Sequence, residues 1–291
     1  MLDDNNIIKR FIFRLVKKHI SGSTLSSALD TIRELNGKGL RATVTFLNEN
    51  VDEPSKARYN TNTYVQFIKQ TIRLHLNSDI SVRMSQLGYK LNNGIMDNCL
   101  DDIFAAADGK GAKVWIEHEP GIKLDEHLKL YRAQRKRYKK LGIEIPIREP
   151  IEGATIRKYL RAKDNVRLTS YLPDLKEKEK GPHKNIFENY ISTIGRLLQA
   201  GVSTTVLDES EKTIIRIANF SKEYKKSLIF ELPLGCSNRR LSKLQKMKLN
   251  LSIYTPYGKD WAPYVINKLT SGHMRDIAAK VLAANKGTLN E

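Results

Sequence analysis

Eight short runs rich in β-branched and aromatic residues punctuate the chain, and a stretch long enough for a helix follows each of them. They lie at 40–47, 79–87, 113–119, 143–148, 165–171, 202–207, 227–232 and 250–256. Strand–helix units in that number and order predict an α/β chain folded as a (β/α)8 TIM-type barrel. Two helices, near 5–20 and 24–36, come before the first strand. Residues 1–36 are therefore expected to pack as N-terminal helices on a barrel of residues 37–291, with a last helix over the barrel mouth.

The strands alternate, whereas strands of a doubly wound sheet are buried on both faces and read as unbroken apolar runs. Ile80, Val82 and Met84 interleave with Ser81, Arg83 and Ser85, and Val114 and Ile116 with Trp115, Glu117 and Glu119. The apolar set suits the outer helices, which leaves Arg41, Arg83, Glu117, Glu119, Glu144, Arg148, Arg167 and Glu231 pointing inward. Ions inside a barrel need partners or a ligand. Arg41 and Glu144 fall early in their strands and read as a structural ion network. Arg83, Glu117, Glu119, Arg167, Tyr171, Glu231 and Tyr254 fall near the C-terminal strand ends, where barrel active sites are built.

Lys and Arg outnumber Asp and Glu by 50 to 32, an excess of +18 that implies attraction to an anionic partner. Residues 6–20 carry an apolar stripe of Ile7, Ile8, Phe11, Ile12, Leu15 and Val16 beside five basic residues. That stripe either caps the core or lies on an anionic membrane surface. The basic runs at 132–140 and 176–180 have no nucleic-acid-binding motif with them and read as a solvated helix face and a mobile loop, so nucleic acid is not an expected partner. Cys99 and Cys236 are too few for a disulfide framework and imply a cytoplasmic, reducing location. The glycines of 109–113 lack P-loop spacing. No metal is expected, because alternation puts His118 opposite Glu117 and Glu119, although two carboxylates leave magnesium open.

After the eighth strand, the sequence YTPYGKDWAPYVINK at 254–268 passes through a Pro-Gly turn into an amphipathic segment. Tyr264, Asn267 and Lys268 share one face of it. This stretch, with SALDTIRELNGKGLRATVTFLNENV at 27–51, ISVRMSQLGYKL at 80–91 and VRL at 166–168, resembles the proline dehydrogenase family of flavin-dependent barrels. The likeness runs from about residue 23 to 283.

The resemblance implies FAD as cofactor, L-proline or a related small amino acid as substrate, pyrroline-5-carboxylate as product, and a quinone or other electron acceptor. It implies catalytic roles for Arg83, Glu117, Tyr254 and Tyr264, substrate binding by Asn267, Lys268 and Tyr171, and cofactor binding by Arg167, Glu231 and Glu119. Several positions depart from the family pattern. The paired arginines of its eighth helix are Asn267 and Lys268 here, its second-strand lysine is Arg83 and its third-strand aspartate is Glu117. Pro146 replaces a glutamine, Ser170 and Tyr171 a lysine and a glycine, Leu207 and Asp208 a histidine, and Glu231 a glutamine. The alternative from another class is a barrel that has lost the chemistry and serves as a binding or regulatory protein.

Overall fold

The computed structural model describes residues 17–48, 51–108, 111–119, 121–147, 150–169, 186–208, 210–224 and 228–261. Among them, β1 (Arg41–Phe46), β2 (Ser78–Val82), β3 (Val114–Ile116), β4 (Leu141–Pro146), β5 (Asn165–Thr169), β6 (Ser203–Leu207), β7 (Leu228–Pro233) and β8 (Leu251–Tyr257) form a closed parallel barrel in sequence order. The helices between them are α2 (Pro54–Arg73), α3 (Asn93–Asp108), α4 (Leu124–Arg135), α5 (Gly153–Tyr159), α6 (Ile186–Gln199), α7 (Glu211–Phe220) and α8 (Asn238–Lys246), and α1 (Leu25–Gly37) precedes the barrel.

Period-2 alternation carries this architecture. Val44, Ile80, Val82, Ile116, Ile143, Ile145, Val166, Leu168, Val206 and Leu232 face outward and are buried against the helices. Each such side chain contributes roughly 1.5–3 kcal/mol on burial. The opposite set, including Thr43, Ser81, Trp115, Glu117, Arg167, Thr205, Glu231 and Ser252, fills the barrel.

The ring closes where β1 pairs with β8, from Arg41 beside Ser252 to Phe46 beside Tyr257. Residues before α1 latch this seam. The Ser21 backbone N–H and hydroxyl both donate to the Pro256 carbonyl, 235 positions away, and Gly258 N–H donates to the Gly22 carbonyl.

Two strands stop earlier than the sequence suggests. β2 ends at Val82 and gives way to a 3-10 turn at Met84–Leu87, closed by Gly88 at φ 88. β3 ends at Ile116, and Glu119 beyond it turns to accept hydrogen bonds from the Ser85 backbone N–H (2.9 Å) and hydroxyl. These two ends are thus pinned to each other rather than extended. The first predicted helix is described only at its end, as a 3-10 turn at Lys17–His19. The helix expected over the mouth, with Tyr264, Asn267 and Lys268, lies outside the described residues, as do Tyr171, Arg148 and the run 176–180.

In the basic run at 132–140, Lys136, Arg137, Lys139 and Lys140 are exposed, as a solvated face requires, and three arginines of the run find carboxylates. Arg132 and Arg135 pair with Asp164, and Arg137 with Asp97 and Asp101. Its charges hold α4 to its neighbours.

Candidate active site

Four neighbouring strands, β2 to β5, together with β7 and β8 build one polar cluster from their inward positions. Arg167 on β5 is at its centre, with no exposed surface. Its Nε and Nη2 donate to Glu144 Oε2 on β4 at 2.9 and 2.8 Å, and its Nη1 donates to Glu231 Oε2 on β7 at 3.0 Å. Nη2 also donates to the Ser81 hydroxyl on β2 at 2.7 Å and stands 3.7 Å from Glu117 Oε1. The guanidinium carbon lies over the rings of Trp115 and Tyr254, at 5.3 and 5.4 Å from their centroids. Carboxylates thus occupy its edge and aromatic rings its faces.

Gly142 makes the indole's position feasible, because a Cβ there would come within 2.4 Å of Trp115 Cε3. Burial alone would depress the Arg167 pKa, but the carboxylates of Glu144, Glu231 and Glu117 outweigh it and raise the value. For Glu144 the order is reversed. Burial pushes its carboxyl up to about 7, only partly offset by Arg167 and reinforced by Glu117.

Nearer the mouth, Glu117 accepts a hydrogen bond from the Tyr254 hydroxyl at 2.7 Å and lies 4.0 Å from Arg83 Nε. The Arg83 side chain is 20% exposed. A buried network braces this rim. The single Tyr64 O–H lies within reach of both Gln86 Oε1 and the Ser81 carbonyl, at 2.9 and 3.1 Å, and Gln86 donates to the carbonyls of Phe46 and Asn48.

The predicted residues therefore separate into three groups. Arg83, Glu117 and Tyr254 meet at the mouth, while Arg167 and Glu231 meet deeper and are spent on one another. Glu119 caps the turn at 84–87. Arg41 and Glu144 each enter a structural ion pair, as their early strand positions suggest, with different partners. Arg41 pairs with Asp79 on β2, whereas Glu144 belongs to Arg167 because β4 and β5 run in register there. Glu117 and Glu119 do not converge, and among the described residues no cluster of His, Cys, Asp or Glu is arranged to hold a metal.

The flavin implied by the resemblance needs hydrogen-bond donors along the carbonyl and N5 edge of its ring. Among the described residues Arg83 supplies such donors from a partly exposed side chain, whose several N–H groups can be shared between a flavin edge and a substrate carboxylate, so the site fits the group at this edge. Sequence reasoning missed Trp115, Ser81 and Ser252 as members of the site. Their inward parity was the available signal.

No model of a known protein family matches the chain. Proline dehydrogenase 2 of Bacillus subtilis (strain 168) is 28% identical to it over 267 residues, which cover 87% of this chain and 84% of that protein. Proline dehydrogenase 1 of the same strain is 24% identical over 257 residues, 87% of this chain and 85% of that one. Among solved structures, proline utilization A (PutA) from Bdellovibrio bacteriovorus, inactivated by N-propargylglycine, superposes with a TM-score of 0.75 at 16% identity. That match covers 94% of this chain but only 35% of the longer PutA chain.

Proposed function

We propose that the chain is a member of the proline dehydrogenase family that oxidises L-proline to pyrroline-5-carboxylate with FAD as resident cofactor. The observation that carries the reading is the meeting of Arg83, Glu117 and Tyr254 at the C-terminal mouth of a closed eight-stranded barrel. FAD supplies the hydride acceptor when bound, and the protein supplies orientation and electrostatics.

Arg83 is the described cation able to hold a substrate carboxylate, and Lys268 is the expected second member of that clamp. Glu117 places a carboxylate opposite the substrate amine, and the Tyr254 hydroxyl fixes its orientation. Tyr264, Asn267 and Tyr171 complete the proposed pocket. Arg167, Glu231 and Glu119 act on the cofactor through the residues they position. Electrons pass to a quinone or another acceptor, and the +18 excess suits contact with an anionic bilayer from the cytoplasmic side. Among the described residues no helix is long and apolar enough to cross a membrane.

The second reading, a barrel that binds without oxidising, draws support from the commitment of Arg167 to carboxylates and from Asn267 and Lys268 standing where the family has two arginines. The absorbance spectrum of freshly purified protein separates the two. A flavin spectrum that bleaches on addition of proline is expected; a colourless protein that takes up no added flavin would overturn the enzymatic reading. A further check is the double change Asn267→Arg with Lys268→Arg. A guanidinium pair grips a carboxylate by several in-plane hydrogen bonds where Lys offers a point charge. We expect KM for proline to fall roughly tenfold, equivalent to about 1.4 kcal/mol. An unchanged or higher KM would count against the placement of that helix over the pocket.

A further inference from the structure

Because all the strands run one way, the connections of the chain sort into two ends: those leading from strand to helix ring the mouth, and those leading from helix to strand ring the base. The two ends carry different charge. At the base, Lys38 before β1, Lys136 and Lys139 before β4, Lys163 before β5, Lys222 before β7 and Lys248 before β8 are exposed, and none of them has an ion pair among the described residues. Arg73 and Lys246, the last residues of α2 and α8, are exposed beside them. Against this ring the described base exposes two acids, Asp108 at the end of α3 and Glu223 before β7. At the mouth the described connections expose Lys90, Lys123 and Lys259 against Asp52, Glu53 and Glu152, an even balance.

The base presents a plane and not a stripe, since its cations come from connections on every side of the barrel. Its free charges are mainly lysines. A lysine is a point charge on a flexible stem and suits a diffuse anionic surface, whereas the planar fork of arginine suits a fixed phosphate. Arg137 and Arg161 of the same connections are already engaged, on Asp97 and Asp101 and on the carbonyls that end α5. Two bulky apolar side chains stand at the rim of this plane: Phe220, the last residue of α7, 58% exposed, and Ile72, next to the end of α2. Tyr59 and Leu91 are exposed toward the mouth, so the ends share apolar exposure but not charge.

We propose that the base of the barrel is the face that docks on an anionic lipid bilayer, with its lysines at the headgroups and Phe220 and Ile72 at the boundary with the acyl chains. A nucleic acid asks instead for a basic stripe or groove with aromatic rings on which bases stack. The inference rests on the bilayer contact proposed above and assigns its face; it does not depend on the proline reading. Docked in this way, the chain turns Arg83, Glu117 and Tyr254 away from the bilayer, and substrate enters from the aqueous side.

The test is sedimentation of the full chain with vesicles of phosphatidylglycerol and phosphatidylcholine in equal parts, against phosphatidylcholine alone, at low and at raised salt. We expect binding to the anionic vesicles that falls as salt rises. Lys139→Gln with Lys222→Gln and Lys246→Gln should weaken it roughly a hundredfold, about fivefold for each lysine. Lys90→Gln with Lys123→Gln and Lys259→Gln makes the same change in net charge at the other end and should weaken it far less. Phe220→Ser should weaken binding without altering its salt dependence. All these side chains are exposed, and circular dichroism checks that each variant is folded. No binding of the unaltered chain to the anionic vesicles overturns the bilayer contact itself. Equal losses in the two triple variants, or a larger one at the mouth, leave that contact standing and overturn its assignment to the base. Displacement from the vesicles by a mixed-sequence oligonucleotide, with Phe220→Ser binding as the unaltered chain does, gives the face to nucleic acid and overturns the inference as well.

Discussion

Arg167→Ala is expected to lower the free energy of unfolding by roughly 3–5 kcal/mol, because it leaves Glu144 and Glu231 buried without their cation. Total stability of a domain is of order 5–15 kcal/mol, so the variant should sit close to the limit of folding. The loss comes from stranded carboxylates and not from missing attraction as such. It should therefore shrink as pH falls and the carboxyls are protonated. Urea denaturation followed by circular dichroism at alkaline and at mildly acidic pH measures both. Arg167→Lys should recover part of the loss, since Lys keeps the charge but cannot contact Glu144, Glu231 and Ser81 together. A penalty below about 1 kcal/mol at alkaline pH, the range of an exposed ion pair, would show that Glu144 and Glu231 do not depend on this cation.

Acid should destabilise the protein through His127 on α4. The ring is fully buried, and its Nε2 must carry the hydrogen to donate to the Glu144 carbonyl, which fixes a neutral tautomer. Burial, with His118 beside it, depresses its pKa from 6.5 to about 3. Above 6.5 the imidazole is neutral in both folded and unfolded chains and adds no pH dependence. Below that value the unfolded chain takes up a proton that the folded one refuses, so stability falls until the folded pKa is reached. Over that window the loss is about 4–5 kcal/mol at about 1.4 kcal/mol per pH unit. His127→Leu gives up one hydrogen bond, about 1 kcal/mol at neutral pH, but should lose the slope. Parallel stability–pH curves for the two proteins would sink this account.

The barrel was legible because its strands obey a two-residue period. Ile143, Ile145, Val166 and Leu168 announce an outer face, and Glu144 and Arg167 an inner one. What the period could not supply is register. Glu144 meets Arg167 because Glu144 and Arg167 are Cα partners across β4 and β5, and Glu231 reaches the same guanidinium from 64 positions away. No local pattern names those partners. Strand ends were misjudged for a related reason: Arg83 and Glu119 continue the alternation, but a tertiary contact between Glu119 and Ser85 stops both strands early. The ion pairs of 132–140 were not legible because Asp97, Asp101 and Asp164 are distant in sequence.

The latch at the β1–β8 seam bears on how the chain reaches this state. Parallel pairing of its first and last strands, secured by Ser21 on the Pro256 carbonyl, can form only after residue 256 has left the ribosome. Until then β1 presents an unpaired edge to the cell. Nascent barrels of this design must wait through nearly their whole synthesis with that edge open, which makes the seam the point at which chaperones would be needed and misassembly would begin.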